Sequence, residues 1–437
     1  MLLSYLVVTD ALQQMRDDWD RRAREDARYY VAFGRREQSP EEFFATATGV
    51  LHALRAEYRR FASPASSLHA LEIGCGPGRL LVPLSRDFAS VTGVDVSAEM
   101  IELARANLRG LSNARAELVS GSDLAQFPDA SFDFVCSYAV FQHIPSRDVV
   151  LGYLREARRV LRPGGILKCQ LNGLPDLPAR AADTWSGVRF RPAEVRDFCR
   201  AHDLQLLLLD GLDTQNMWFS ARKQPDGWRA LLRPSPGVRL LRAGNTHTPD
   251  MVVPVSGRFS SASLWVENLP AGADLLSLEV EIASRRTAPC YVGRHALRGP
   301  QQVNVFLPHG IPTGLVPVRL WMLGDPVSNA VLLRVIPAPP AVPRLLDVTD
   351  GVNLLSLNRT ETRTLKVNVE EVGSDPALDA SLDGRLLEQV ELFCVDPLSD
   401  RYTLNLKVPP GVPPGPHTLQ VRLRLRPFPA IPLEVVA

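Results

Sequence analysis

The sequence predicts an α/β region built on a mostly parallel sheet, followed by two all-β sandwiches. Three observations carry that prediction. From Leu68 onward, short apolar runs alternate with helical periodicity, the pattern of right-handed strand–helix–strand crossovers. The apolar run Leu71–Glu72–Ile73 breaks into Gly74–Cys75–Gly76–Pro77–Gly78, and a second run, Val91–Thr92–Gly93–Val94, ends on Asp95, 21 residues after Gly74. Past Pro225 helical periodicity fades, prolines multiply, and short alternating runs recur at a fixed offset of 101 residues.

Residues 10 to about 60 read as amphipathic helices, with Trp19, Tyr29, Tyr30, Phe33, Phe43 and Phe44 among many charges; aromatics at such spacing are more often core than ligand contacts. The glycine turn that follows has a different logic. Glycines let the backbone approach a ligand and reach positive φ. A carboxylate at the next strand end can accept hydrogen bonds from both hydroxyls of a ribose. Together they point to a bound adenosine. A dinucleotide turn spaces its glycines Gly-x-Gly-x-x-Gly around a pyrophosphate. Here the third glycine arrives after two residues, and Pro77 removes an amide donor. That makes a poor phosphate cradle.

Glu72-x-Gly74-x-Gly76-x-Gly78 instead resembles motif I of the class I S-adenosylmethionine-dependent methyltransferases, whose ligand carries no phosphate. Further segments match in order: Gly121–Ser122–Asp123–Leu124, Ser131–Phe132–Asp133–Phe134–Val135–Cys136–Ser137–Tyr138, and Phe141–Gln142–His143–Ile144. The helix-and-stop segment Tyr153–Leu167 is similar to a signature of the branch that includes ubiquinone- and menaquinone-biosynthesis enzymes; Leu154, Ala157 and Leu161 fall at helical spacing before Pro163–Gly164–Gly165. The resemblance covers residues 10 to 223 and implies a Rossmann-like domain with a seven-stranded, mostly parallel sheet. It also implies S-adenosylmethionine as cofactor, contacted by Glu72, Gly74, Cys75, Gly76, Gly78, Asp95, Val96, Met100, Asp123, Leu124, Ser137 and Tyr138. Residues 1–60 become a helical cap, with Tyr29 and Tyr30 as lid candidates, and 61–223 the cofactor domain. His143, just after the fourth strand, is the candidate general base; the alternative is that it only shapes the pocket.

Composition bounds the rest. Net charge is +1, so no global field recruits nucleic acid or an anionic surface. Of 49 basic residues only Lys168, Lys223, Lys366 and Lys407 are lysines, a coding bias expected of a bacterial genome rich in G and C. The six cysteines form no Cys-x-x-Cys pair and no Cys/His cluster at metal-ligand spacing, so no metal is expected. No run of 18 apolar residues and no charged secretory start is present, and the expected location is cytoplasmic, where S-adenosylmethionine is made.

In the C-terminal half, Leu307–Gly314 corresponds to Val408–Gly415 in a Val-Pro-x-Gly-x-Pro-x-Gly pattern, and the same offset carries Leu264 and Val266 onto Leu365 and Val367. Two tandem domains of about 100 residues follow, at 245–337 and 344–437, joined by the proline-rich stretch 337–343. Their turns resemble those of IPT/TIG immunoglobulin-like domains. Scattered acids such as Asp347, Asp350, Glu370 and Asp383 show no calcium-ligand spacing. The expected function is methyl transfer to a small-molecule or glycan acceptor, with the repeats serving docking, a protein partner or self-association. The alternative is an S-adenosylmethionine-binding scaffold whose function lies in the repeats.

Overall fold

A computed structural model describes residues 2–32, 34–174, 184–185, 187–235, 237–295 and 299–436, with side chains described from residue 12 onward. The chain divides into two compact units: Met1–Arg21 with Ala47–Ala338, and Arg22–Thr46 with Pro339–Ala437. The grouping differs from the division expected at residues 60, 223 and 245. Helix α1 (Leu2–Ala32) contributes to both units, and its backbone kinks at Asp26.

The first unit contains the α/β sheet. Its strands are β1 (His69–Ile73), β2 (Ser90–Asp95), β3 (Ala114–Leu118), β4 (Phe132–Ser137), β5 (Leu161–Leu171), β6 (Leu204–Asp210) and β7 (Met217–Lys223). They run in the order β3-β2-β1-β4-β5-β7-β6, all pairs parallel up to β5 and antiparallel at both contacts of β7. Strands buried on both faces must be continuously apolar; accordingly Leu71, Val91, Val94, Phe134 and Val135 are fully buried. The helix Arg147–Val160 carries Val149, Val150, Tyr153, Leu154, Ala157 and Val160 on its buried face, and Gly164, at φ +83°, turns the chain back within the following strand.

The same sheet continues into the first repeat. Its strands are β8 (Arg239–Asn245), β9 (Val252–Pro254), β10 (Ser261–Glu267), β11 (Leu278–Ile282), β12 (Arg285–Thr287), β13 (Tyr291–Val292), β14 (Gln301–Phe306), β15 (Gly314–Met322), β16 (Asp325–Pro326) and β17 (Val331–Ile336). One sheet, β13-β14-β10-β8, joins β6 edge to edge: Tyr291 pairs with Leu208, and the Leu209 amide donates to the Cys290 carbonyl at 2.9 Å. The other, β12-β11-β15-β17-β9, closes over it, and one apolar core runs from Leu71 and Phe219 to Leu264, Val303, Leu320 and Val335. Polar bonds reinforce this junction. The Gln205 side-chain amide donates to the carbonyls of Ala271 (2.8 Å) and Ala273 (3.0 Å). Asp274, fully buried, takes Arg229 at 3.0 Å and the Leu206 amide at 3.2 Å. The first repeat is thus built into the α/β sheet.

The second unit repeats the β plan with β18 (Arg344–Asp350), β19 (Arg359–Thr360), β20 (Thr364–Glu370), β21 (Leu378–Leu382), β22 (Arg385–Leu386), β23 (Glu388–Asp396), β24 (Arg401–Lys407), β25 (Gly415–Leu423), β26 (Arg426–Pro427) and β27 (Ile431–Val435). The orders β18-β20-β24-β23 and β19-β27-β25-β21-β22 reproduce β8-β10-β14-β13 and β9-β17-β15-β11-β12 strand for strand. Each sheet alternates inward apolar with outward polar residues, and the inward set, including Val367, Leu404, Leu419 and Leu433, forms one core. Even a corner is shared. Asn245 accepts from the amides of His247 (2.8 Å) and Thr248 (3.3 Å), while Asp350 accepts from those of Val352 and Asn353 (both 2.8 Å). The 101-residue sequence repeat is therefore a repeat of architecture. Residues 34–36 join this second unit through Leu354 N–H to the Gly34 carbonyl (2.7 Å) and Arg36 N–H to Asn353 Oδ1 (3.1 Å).

Candidate active site

The glycine turn lies at the carboxyl end of β1, where ligands of open parallel sheets bind. Gly74, Gly76 and Gly78 take φ of +74°, +51° and +86°, a region that side chains disfavour. Gly74 is doubly constrained: a Cβ there would stand 2.3 Å from Val140 Cγ2. The amides of Gly74 and Cys75 donate to the Val94 carbonyl at 2.8 and 2.9 Å, tying the turn to β2. Gly93 permits that closeness, since a Cβ on it would sit 2.7 Å from Cys75 Cβ.

Asp95 is held by the turn it faces. Gly76 N–H donates to Oδ2 (2.8 Å) and Ser97 N–H to Oδ1 (2.9 Å), which fixes the carboxylate plane and leaves outward lone pairs for a ligand. Burial pushes its carboxyl above the usual range, against those amides and that of Val96. Met100, in the first turn of the helix Ala98–Asn107, is buried behind it; its amide donates to the Ser97 hydroxyl. Asp20 accepts from Ser97 Oγ (2.5 Å) and the Glu99 amide (3.2 Å), so the N-terminal helix closes the N-terminal end of the helix Ala98–Asn107.

Glu72 is buried and its Oε2 has no hydrogen-bond partner; burial pushes its carboxyl well above the usual value, countered by Arg79. Asp123 lies on the neighbouring loop, where the Ala125 amide (3.1 Å) and the hydroxyls of Ser120 (2.9 Å) and Ser122 (3.2 Å) overcome burial and hold its carboxyl low. Leu124, fully buried beside it, donates its amide to Glu156 at 3.1 Å. Arg16 reaches the Ser120 carbonyl from α1. Val96 packs at the same edge, within 2.8 Å of where a Cβ on Gly121 would fall.

At the end of β4, Ser137 Oγ donates to the Ile73 carbonyl (3.0 Å), and Tyr138 stacks on Trp218 with centroids 5.3 Å apart and planes 3° from parallel. His143 follows, 5% exposed, with Trp19 edge-on at 5.4 Å. A chain of bonds fixes its protons. The Ala139 amide donates to Gln170 Oε1 (2.9 Å), so Gln170 Nε2 donates to Gln142 Oε1 (2.7 Å). Gln142 Nε2 therefore donates to His143 Nε2 (3.2 Å), and His143 Nδ1–H donates to the Trp185 carbonyl (2.9 Å). Both ring nitrogens are engaged.

Thus Glu72, the glycine turn, Asp95, Val96, Met100, Asp123, Leu124, Ser137, Tyr138 and His143 all fall in the first unit, around the carboxyl ends of β1, β2, β3 and β4. Tyr29 and Tyr30 fall in the second, where Arg36 covers both rings at 4.3 and 5.3 Å. Sequence reasoning missed Arg16 and Asp20 as cap residues, whereas Trp19, read as core, packs partly buried against the hydrophobic core; the only signal for Arg16 and Asp20 was their place on the N-terminal helix, well upstream of the glycine turn. The residues fit an adenosyl ligand with a charged tail: a fixed carboxylate on Asp95 and a buried, unpartnered oxygen on Glu72 beside backbone no side chain obstructs. Among the described residues no group of three or more His, Cys, Asp or Glu could hold a metal ion.

Residues 71–169 match the methyltransferase domain family. A ubiquinone biosynthesis O-methyltransferase of Xanthomonas oryzae pv. oryzae is 29% identical over 184 residues, covering 37% of this chain and 74% of that protein. A demethylmenaquinone methyltransferase of Tropheryma whipplei is 36% identical over 97 residues, covering 22% of this chain and 38% of that one. Among solved structures, phosphoethanolamine N-methyltransferase 1 of Haemonchus contortus, in complex with phosphoethanolamine and S-adenosylhomocysteine, aligns at 16% identity and a TM-score of 0.38, over 50% of each chain. Fold and site define a Rossmann-like methyltransferase domain. The protein is an S-adenosylmethionine-dependent methyltransferase.

Proposed function

We infer that the chain methylates a small-molecule or glycan acceptor, and that residues 61–223 supply the cofactor domain beneath a cap drawn from residues 1–60. The carrying observation is the clamp on Asp95 by the Gly76 and Ser97 amides at 2.8 and 2.9 Å, which aims a carboxylate where two ribose hydroxyls would sit. In this reading Asp123 and the backbone at Leu124 take the adenine, the motif I backbone and Glu72 take the amino-acid tail, and Tyr138 walls the methyl end. Bound S-adenosylmethionine supplies an electrophilic methyl on a sulfonium. The protein's work is then to hold an acceptor atom about 3 Å away in line and exclude water. The O-methyltransferase among the relatives supports an acceptor oxygen. His143 shapes the pocket in this proposal, since its Nε2 lone pair is taken by Gln142.

The repeats at 245–337 and 344–437 are proposed to be immunoglobulin-like, and the location cytoplasmic; among the described residues no helix is long and apolar enough to cross a membrane. Calorimetry of the full chain with S-adenosylhomocysteine and NAD tests the cofactor assignment. Binding of the first alone is expected, and Asp95→Ala should weaken it by about 1–3 kcal/mol. Tight NAD binding without a response to the sulfur ligand would overturn the reading. His143→Ala should lower affinity and turnover together; a loss of about 10²-fold in turnover alone would make it the base.

A further inference from the structure

The internal duplication exposes a docking edge. In the first repeat the outermost strand of the four-stranded sheet, β13, is paired on its outer side by β6. The equivalent strand of the second repeat is β23, which holds the same place beside β24 that β13 holds beside β14. Among the described residues nothing pairs with its outer side. It is long, running Glu388–Asp396, and Glu388, Gln389, Val390 and Glu391 are all exposed. Val390 is 62% exposed and sits at a bulge between Gln389 and Glu391, without a partner on β24. By sheet position it stands near the counterpart of Cys290, whose carbonyl receives the Leu209 amide in the first repeat.

An open strand edge is a row of unmatched donors and acceptors, a template for an added strand. Its charge selects the occupant. Glu388, Glu391 and Asp396 are acidic and the strand contains no basic residue; Lys407 and Arg401 of β24 stand opposite Glu388 and Asp396 on the inner side, and Asp396 also accepts from Leu398 N–H and Ser399 Oγ of its own turn. A second copy paired antiparallel about Leu392 would set Glu388 against Asp396, acid on acid, which disfavours self-association. We propose that β23 is a docking edge for an extended segment of a partner protein that alternates basic and apolar side chains, added to the sheet as β6 is added to β13. This goes beyond methyl transfer and does not depend on it.

The test uses the full chain and two synthetic nine-residue peptides, alternating valine with lysine or valine with glutamate, each with a fluorescent tag. Anisotropy should show the lysine peptide binding at least tenfold tighter than the glutamate peptide. Val390→Pro, which a bulge tolerates but an added strand does not, should lower that binding tenfold or more, with the melting profile checked for an intact fold. Glu388→Lys with Glu391→Lys, two exposed positions that leave the core untouched, should reverse the preference between the peptides. Equal binding of both peptides, binding that Val390→Pro leaves unchanged, or a concentration-dependent dimer that neither peptide dissolves would each overturn the proposal.

Discussion

Two copies of one β architecture meet opposite fates in this chain. The first has its outer strand β13 joined to β6 and shares an apolar core with the α/β sheet; the second has its own core and, among the described residues, leaves the outer side of β23 unpaired. The difference lies in few residues. Gln205, Arg229, Asp274 and Cys290 satisfy the edge of β6, while β23 carries acids and a bulge. A duplicated module thus becomes part of an enzyme when its edge is matched by backbone and buried charge. Without that match it remains a separate unit.

The largest expected effect comes from removing a buried, ion-paired carboxylate in each copy. Asp274→Ala strands Arg229 and should cost about 3–5 kcal/mol, lowering the melting of the α/β sheet and weakening S-adenosylhomocysteine binding. Glu370→Ala removes the buried carboxylate that pairs with the more exposed Arg344 and Arg401 of the second repeat; it should cost less and lower a different transition, leaving cofactor affinity unchanged. Calorimetric scans of both variants check this; a shared shift of one transition would dissolve the contrast.

A smaller effect comes from backbone constraint. Gly74→Ala drives a Cβ into Val140 at positive φ and should cost roughly 1–3 kcal/mol, with cofactor affinity falling in parallel. Gly384→Ala in the second repeat also sits at positive φ, +81°, but meets nothing within 4 Å, and should cost only about 1 kcal/mol. Chemical denaturation of the two variants compares them.

Two buried carboxyls, one in each unit, should contribute to the pH dependence of stability with opposite sign. Burial raises the Glu72 carboxyl well above 4.5, so the folded first unit holds a proton that the unfolded chain releases. Its contribution is complete below that value and is lost as pH rises through the folded pKa. Glu72→Gln should flatten that alkaline loss. Asp350 is also buried, but the amides of Asn353, Thr362 and Val352 hold its carboxyl below 3.8, so its contribution is present above that value and is lost as pH falls. Asp350→Asn should flatten the acid limb of the second unit alone. Melting temperatures across the pH range read both.

Much of the first unit was legible in the sequence because its signals are local. The turn Gly74–Gly78, Asp95 and the stop at Pro163–Gly165 act within a few residues of where they stand, and they place β1, β2, β4 and β5. The 101-residue repeat was legible because turns and inward apolar residues recur in register. What was not legible depends on distant partners. Nothing near Tyr291 or Leu208 announces that they pair across the intervening chain, and nothing in α1 separates Asp20, which reaches Ser97, from Tyr29 and Tyr30, which belong to the second unit. Gln142, Gln170 and the Ala139 amide settle the protons of His143 only once folding brings β5 beside the loop after β4.

The most direct test of the contrast between the repeats is hydrogen exchange of the intact chain, read by peptide mass spectrometry. If the first repeat is built into the enzyme, amides of Leu204–Asp210 and Gln301–Phe306 should exchange with those of Leu161–Leu171, in one cooperative opening. Amides of Glu388–Asp396 should exchange faster and separately, and stay unaffected by S-adenosylhomocysteine. If Gln301–Phe306 instead opens on its own, ahead of Leu161–Leu171 and in step with the second repeat, the first repeat is not part of the enzyme's sheet and the account fails.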